Sequence, residues 1–175
     1  MIRTIAWFER TFSFELPMWM YPNVIERLRG TPARLEDRVR ALPAELLTRR
    51  DGDQWSIQEH AGHLLDLGPL DLARLDDYAA GSESLRPADR DNRKTYEANH
   101  NAHPIAEITL AFRAERAEFV RRLEEFDEEF VRRSAMHLRL KTRMRVIDFA
   151  FFIAEHDDHH LARITELIHL SGESC

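Results

Sequence analysis

The chain has 175 residues, 43% of them hydrophobic and 32% charged, with a formal net charge of −6. That length suits one domain with a sizeable core, and an acidic balance with scattered basic residues argues against nucleic acid as the partner. The single cysteine, Cys175, excludes an internal disulfide framework and points to a reducing, cytoplasmic setting, while no apolar run is long enough for a membrane span.

In chain order, MIRTIAWFERTFSFELPMWMYP opens the sequence with aromatics but carries Arg3, Glu9, Arg10 and Glu15, so it does not read as a signal peptide. Residues 1–20 are expected to form an N-terminal extension packed on a single domain spanning 1–175. A first helix is predicted over 23–41 from the spacing of Leu28, Leu35, Val39 and Leu42, with a kink at Gly30-Thr31-Pro32. A second spans 56–79, opened by the capping box Ser56-Ile57-Gln58-Glu59 and continued by a stripe of Ile57, Ala61, Leu64, Leu65, Leu72 and Leu75. The polar stretch 80–103 is a long crossover, of a length that is often functional. Pro104 suits the first position of a third helix running to about Phe126. After a connection over 127–143, a fourth helix spans about 144–170, turning Val146, Phe149, Phe152, Ile153, Ile164 and Leu167 inward. No convincing strand appears; the nearest candidates are short extended pieces around 5–16 and 132–140. The expected fold is all-α, a four-helix bundle with a long crossover between its second and third helices.

Within the fourth helix, FFIAEHDDHHLARI (151–164) places three histidines in five positions. At 100° per residue, His156 and His160 lie about 40° apart on one inward face, where two imidazoles from one helix reach a single ion. His159 falls about 60° to the other side and is a weaker competitor. Inward imidazoles are costly unless each has a polar partner or a metal, and H-x-x-x-H by itself fits a hydrogen-bonded pair as well as a ligand pair. The second helix adds EHAGHLLDL, with Glu59, His60, His63 and Asp66 within two turns; His63 shares a face with Glu59 and Leu67 and can complete a three-histidine site with open coordination positions.

Taken together, WSIQEHAGHLLDL and FFIAEHDDHHLARI resemble the DinB/YfiT-like superfamily of metal-binding four-helix bundles, in which a tryptophan opens the second helix, a histidine follows about eight residues on, and H-x-x-x-H lies late in the last helix. Here those positions are Trp55, His63, His156 and His160. The segments DNRKTYEANHN and AMHLRLKTRMRVIDFAFF extend the likeness over most of residues 22–170. Leu138, Lys141 and Arg143 depart from it, standing where similar chains favour proline and glycine. The resemblance implies a divalent metal, zinc or nickel, on His63, His156 and His160. It also implies a homodimer, and relatives that transfer low-molecular-weight thiols, isomerise with a thiol, or act as proposed metal-dependent hydrolases.

Three neutral ligands leave a cation its full charge, which lowers the pKa of bound water or thiol. With no cysteine in the site region, thiol chemistry requires an exogenous thiol. The leading expectation is therefore a metal-dependent thiol transferase or related detoxification enzyme acting on a small molecule. The alternatives are a hydrolase, or a non-catalytic metal-binding stress-response bundle working through its dimer surface and closed by a fourth ligand such as Glu59, Asp66 or His60. Glu59 and Asp157 are the candidate catalytic carboxylates, each with a plainer explanation: capping for Glu59, solvation for Asp157 and Asp158. Arg163 is a candidate anion contact or a snorkelling edge residue. His100 and Asn101 are candidates for the mouth of the site, and His103 and His137 carry no signal beyond their type.

Overall fold

The computed structural model describes residues 4–172; Cys175 lies outside them. Helix α1 (Tyr21–Val39) buries Val24, Ile25, Leu28, Leu35 and Val39, a spacing that puts one stripe on the core. It runs unbroken past the expected kink: Pro32 lies inside the helix, and the Thr31 hydroxyl donates to the Arg27 carbonyl at 3.2 Å. A short helix α2 (Ala44–Thr48) precedes α3 (Ile57–Ala79), whose capping box forms as the sequence predicts, with Ser56 Oγ accepting from Glu59 N and the Glu59 carboxylate accepting from Ser56 N. The crossover is structured in part, through strand β1 (Ser84–Leu85) and helix α4 (Arg93–Glu97). Helix α5 (Ile105–Glu124) takes Pro104 as its N-cap, one position earlier than expected. The second connection holds helix α6 (Glu128–Val131) and strands β2 (Ser134–His137) and β3 (Thr142–Arg145), and α7 (Val146–Leu170) closes the fold. Leu42, Leu65, Leu72 and Leu167 prove half-buried, at the rim of the core.

The strands correct the expectation of none. β1 pairs parallel with β2, Ser84 opposite Met136, and β2 pairs antiparallel with β3 from Ser134–Arg145 to His137–Thr142. β2 lies inside the extended piece at 132–140, whereas 5–16 forms a 3-10 turn, Trp7–Glu9, and extended coil. Only four residues separate β2 from β3, and Lys141 closes that hairpin at φ 52, in the region glycine enters most easily. This is one of the positions where the sequence departs from its resemblance.

Side-chain pairings fix the direction of each long helix. Arg27 meets Asp158 and Arg38 meets Thr165, so α1 and α7 run parallel. Arg116 faces Asp71 and Arg122 faces Asp76, so α3 and α5 also run parallel. Between these pairs the sense is opposite, with His60 against His160 and Tyr78 against Phe149 across α3 and α7. Each helix neighbours two others; α1 lies diagonal to α3, and α5 diagonal to α7. Because α5 is parallel to α3, the crossover must retrace all of α3, roughly 35 Å at 1.5 Å per residue. The length of 80–103 is thereby explained: it returns the chain to the start of α3.

The apolar core falls into two clusters, one around Phe119, Phe149 and Tyr78 towards the sheet, the other around Leu35, Phe112 and Ile164 at the opposite end. Residues 4–20 lie against α7, where Trp7 and Phe12 pack on Phe152 and Arg10 pairs with Glu155 at 2.6 Å. No helix among the described residues is long and apolar enough to cross a membrane.

Candidate metal centre

The α3–α7 seam carries His60 and His63 from one side and His156, His159 and His160 from the other, all buried. One ring nitrogen from each of His63, His156 and His160 lies within 4.8 Å of the others. His160 and His156 point their Nε2 atoms at each other, 3.1 Å apart. Two nitrogens on one zinc at 2.0–2.1 Å stand about 3.3 Å apart for tetrahedral and about 2.9 Å for right-angle coordination. The observed pair falls between.

The far nitrogens are held by neighbours. His63 Nδ1 is 3.0 Å from Thr95 Oγ1, which leaves Nε2 to face the other rings. His160 Nδ1 is 2.8 Å from His60 Nδ1. Metal-ligating histidines are ordinarily oriented through their second nitrogen in this manner. Burial first, then the neighbouring histidines and, for His156, also Arg116 and Arg139, pushes His156 and His160 well below the usual histidine range, and burial pushes His63 down to about 4. The rings are therefore neutral at pH 7, the form a cation requires. Trp55 packs over the group, its ring 4.7 Å from that of His63 and 6.1 Å from that of His160.

The crossover presses the His63 face into place. His100 Nε2 is 2.8 Å from the Asp66 carboxylate, its carbonyl accepts from Gln58, and Asn101 accepts from Ser56 Oγ. Here a glycine is required: a Cβ on Gly62 would stand 2.2 Å from His100 Cγ. His100 and Asn101 are thus clamps on α3 and do not line the mouth. Thr95 was missed in the sequence, where its segment signalled only family likeness, and His60 carried no signal beyond its residue type.

The two candidate carboxylates lie elsewhere. Glu59 caps α3 and ion-pairs with Arg50, which holds its carboxyl below the usual range. Asp157 is fully buried and pairs with Arg116 at 2.8 Å. Asp158 pairs with Arg27 and Arg34, so neither aspartate orients an imidazole. With Asp66 on His100, Glu59 on Arg50 and His60 on His160, none of the three closing ligands proposed from sequence joins the group. Its free side faces a cavity of about 820 Å³ along the seam, walled by Trp55, Leu67, Leu70, Phe152 and Trp7, with His137, His159 and Arg163 also in its lining.

With the bundle and its histidine group in place, the DinB superfamily model matches residues 27–164 of the chain. The chain belongs to the DinB superfamily. Among solved structures it is similar to YfiT from Bacillus subtilis, described as a probable metal-dependent hydrolase with an unusual four-helix bundle topology. The two share 20% identity at a TM-score of 0.82, covering 95% of each chain. No curated protein matches the chain. The shared fold is a four-helix bundle.

Proposed function

We propose that this DinB-superfamily chain is a metal-dependent enzyme whose divalent ion, zinc or nickel, is held by His63, His156 and His160. The observation that carries the reading is the open side of the histidine group: three neutral imidazoles converge, no fourth ligand completes them among the described residues, and a walled cavity begins there. A structural zinc site is normally closed by four protein ligands. When bound, the ion supplies positive charge that favours the anionic form of a small thiol or of water.

The protein's own part is positional. Thr95 and His60 orient the imidazoles, Trp55 and Trp7 exclude water from one side, and the apolar wall of Leu67, Leu70 and Phe152 receives the substrate body. Neither Glu59 nor Asp157 lines this cavity, so we assign them no proton-transfer role. Transfer of a low-molecular-weight thiol to an electrophile is the leading reaction class; no cysteine among the described residues lines the cavity, so the thiol is a co-substrate. Hydrolysis is the second reading, favoured by the description of YfiT.

Elemental analysis of protein purified without added metal tests the foundation. Near-stoichiometric divalent ion is expected, lost in both His63→Ala and His160→Ala. Turnover of model electrophiles with cellular thiols, set beside ester and amide hydrolysis, then separates the two reactions. Absence of metal from the wild-type protein, even after reconstitution, would overturn the proposal.

A further inference from the structure

The cavity also carries a cationic wall. Along α3 its wall runs His60, His63, Leu67, Leu70, Arg74, one face of the helix at three- and four-residue steps. Arg74 comes eleven residues after His63, roughly 16 Å of helix rise. Six cations line the cavity, Arg74, Arg86, Arg90, Arg139, Lys141 and Arg163, against three carboxylates, Asp53, Asp71 and Asp89.

Some of these charges have ion-pair partners. Arg86 pairs with Asp77, Arg163 with Glu166, and Asp89 with Arg93. Three arginines form no ion pair among the described residues. Arg74 is buried and gives Nε to the Arg86 carbonyl, with Asp71 and Asp77 attracting it from beyond ion-pair contact; Arg90 and Arg139 have no carboxylate partner. Arg139 Nη2 is buried without any hydrogen-bond partner. Its guanidinium stands 5.2 Å over the Phe8 ring and 5.7 Å over Phe152, and Arg90 reaches the same Phe8 at 6.0 Å. Burial first, then repulsion from Arg90 and Arg74, lowers the pKa of Arg139. Clustered guanidinium groups with an orphaned buried donor are costly unless an anion compensates them. Guanidinium forks match the geometry of carboxylate and phosphate oxygens.

We propose that Arg139, Arg90 and Arg74 form an oxyanion subsite, so that the molecule processed at the histidine group is an organic anion bearing a carboxylate or phosphate. The word "processed" rests on the proposed function; the anion site itself does not. Two of the three positions where the sequence departs from its family resemblance, Leu138 and Lys141, flank Arg139 on the hairpin loop that supplies this wall. The departure therefore falls where substrate choice is made.

Thermal unfolding of the full chain tests it, in 10 mM succinate or inorganic phosphate against sodium chloride of matched ionic strength. The wild type is expected to gain about 2–4 °C in Tm from at least one anion. Arg139→Met removes the gain, and the exposed Arg90→Met reduces it even if the first variant folds poorly. His156→Ala, which should lose metal, keeps it. A gain from succinate alone identifies a carboxylate ligand, and a gain from phosphate alone a phosphate ester. No gain over chloride from either anion overturns the subsite. So does a gain that survives both arginine changes but disappears in His156→Ala, since the anion would then sit at the metal. Elemental analysis of the same preparations keeps a failed metal reading distinct from a failed anion reading.

Discussion

Two clusters of buried polar groups are solved in opposite ways. Between the apolar clusters, Arg116 of α5 is 2.8 Å from Asp157 of α7 and 3.8 Å from Asp71 of α3. All three are buried, and charge is balanced by charge from neighbouring helices. In the seam, five imidazoles have no carboxylate in ion-pair contact; burial keeps them neutral, and they line a cavity. The closed cluster holds helices together. The open one costs desolvation and offers the fold little in return unless something enters, which is why we place function there.

The sharpest way to break this contrast is to remove one partner of the closed cluster. Arg116→Ala strands two buried carboxyl groups and is expected to cost about 3–5 kcal/mol in urea unfolding. Metal content of the protein that remains folded should be unchanged; a loss below about 1 kcal/mol would show the cluster is not structural.

Next comes pH. Burial outweighs Arg116 and Arg74 and pushes Asp71 up to about 7. A carboxyl raised in the folded state contributes stability that is fully present below its unfolded value and is lost as pH rises through about 7. Asparagine cannot ionise. Asp71→Asn should therefore gain stability relative to wild type between pH 4 and 8, by about 4 kcal/mol. A difference that does not vary with pH would mean Asp71 is charged throughout.

The open cluster is probed by Thr95→Val, nearly isosteric, which removes the hydroxyl beside His63 Nδ1. Loss of such an orienting group should weaken metal binding about tenfold by competition with a chelator, with little change in Tm. Equal affinity in the two proteins would place the orientation of His63 elsewhere. Smallest of all, Lys141→Gly relieves a left-handed backbone at φ 52. The relief of about 1–2 kcal/mol is partly offset by glycine's greater freedom when unfolded, leaving a gain of about 0.5 kcal/mol in chemical unfolding.

Much of this was legible in the chain. Four long helices, the capping box at Ser56 and the facing of His63, His156 and His160 follow from periodicity and local hydrogen bonding, because each repeats within a few residues. The 3-10 turn at Trp7 and strands of two to four residues leave too short a pattern to be read, and Arg116 gives no local sign that it pairs with Asp157, 41 positions away. The convergence of α3 and α7 needed the family resemblance, since no spacing within one helix tells which other helix lies opposite. The sequence by itself determined helix lengths, caps and which rings share a face, all matters of neighbours along the chain. Only the tertiary structure decided that α5 runs parallel to α3, that the crossover delivers Thr95 to His63, and that Arg139 joins the wall of the histidines' cavity. Those outcomes depend on contacts between residues distant in sequence, and a local pattern holds no record of its partner.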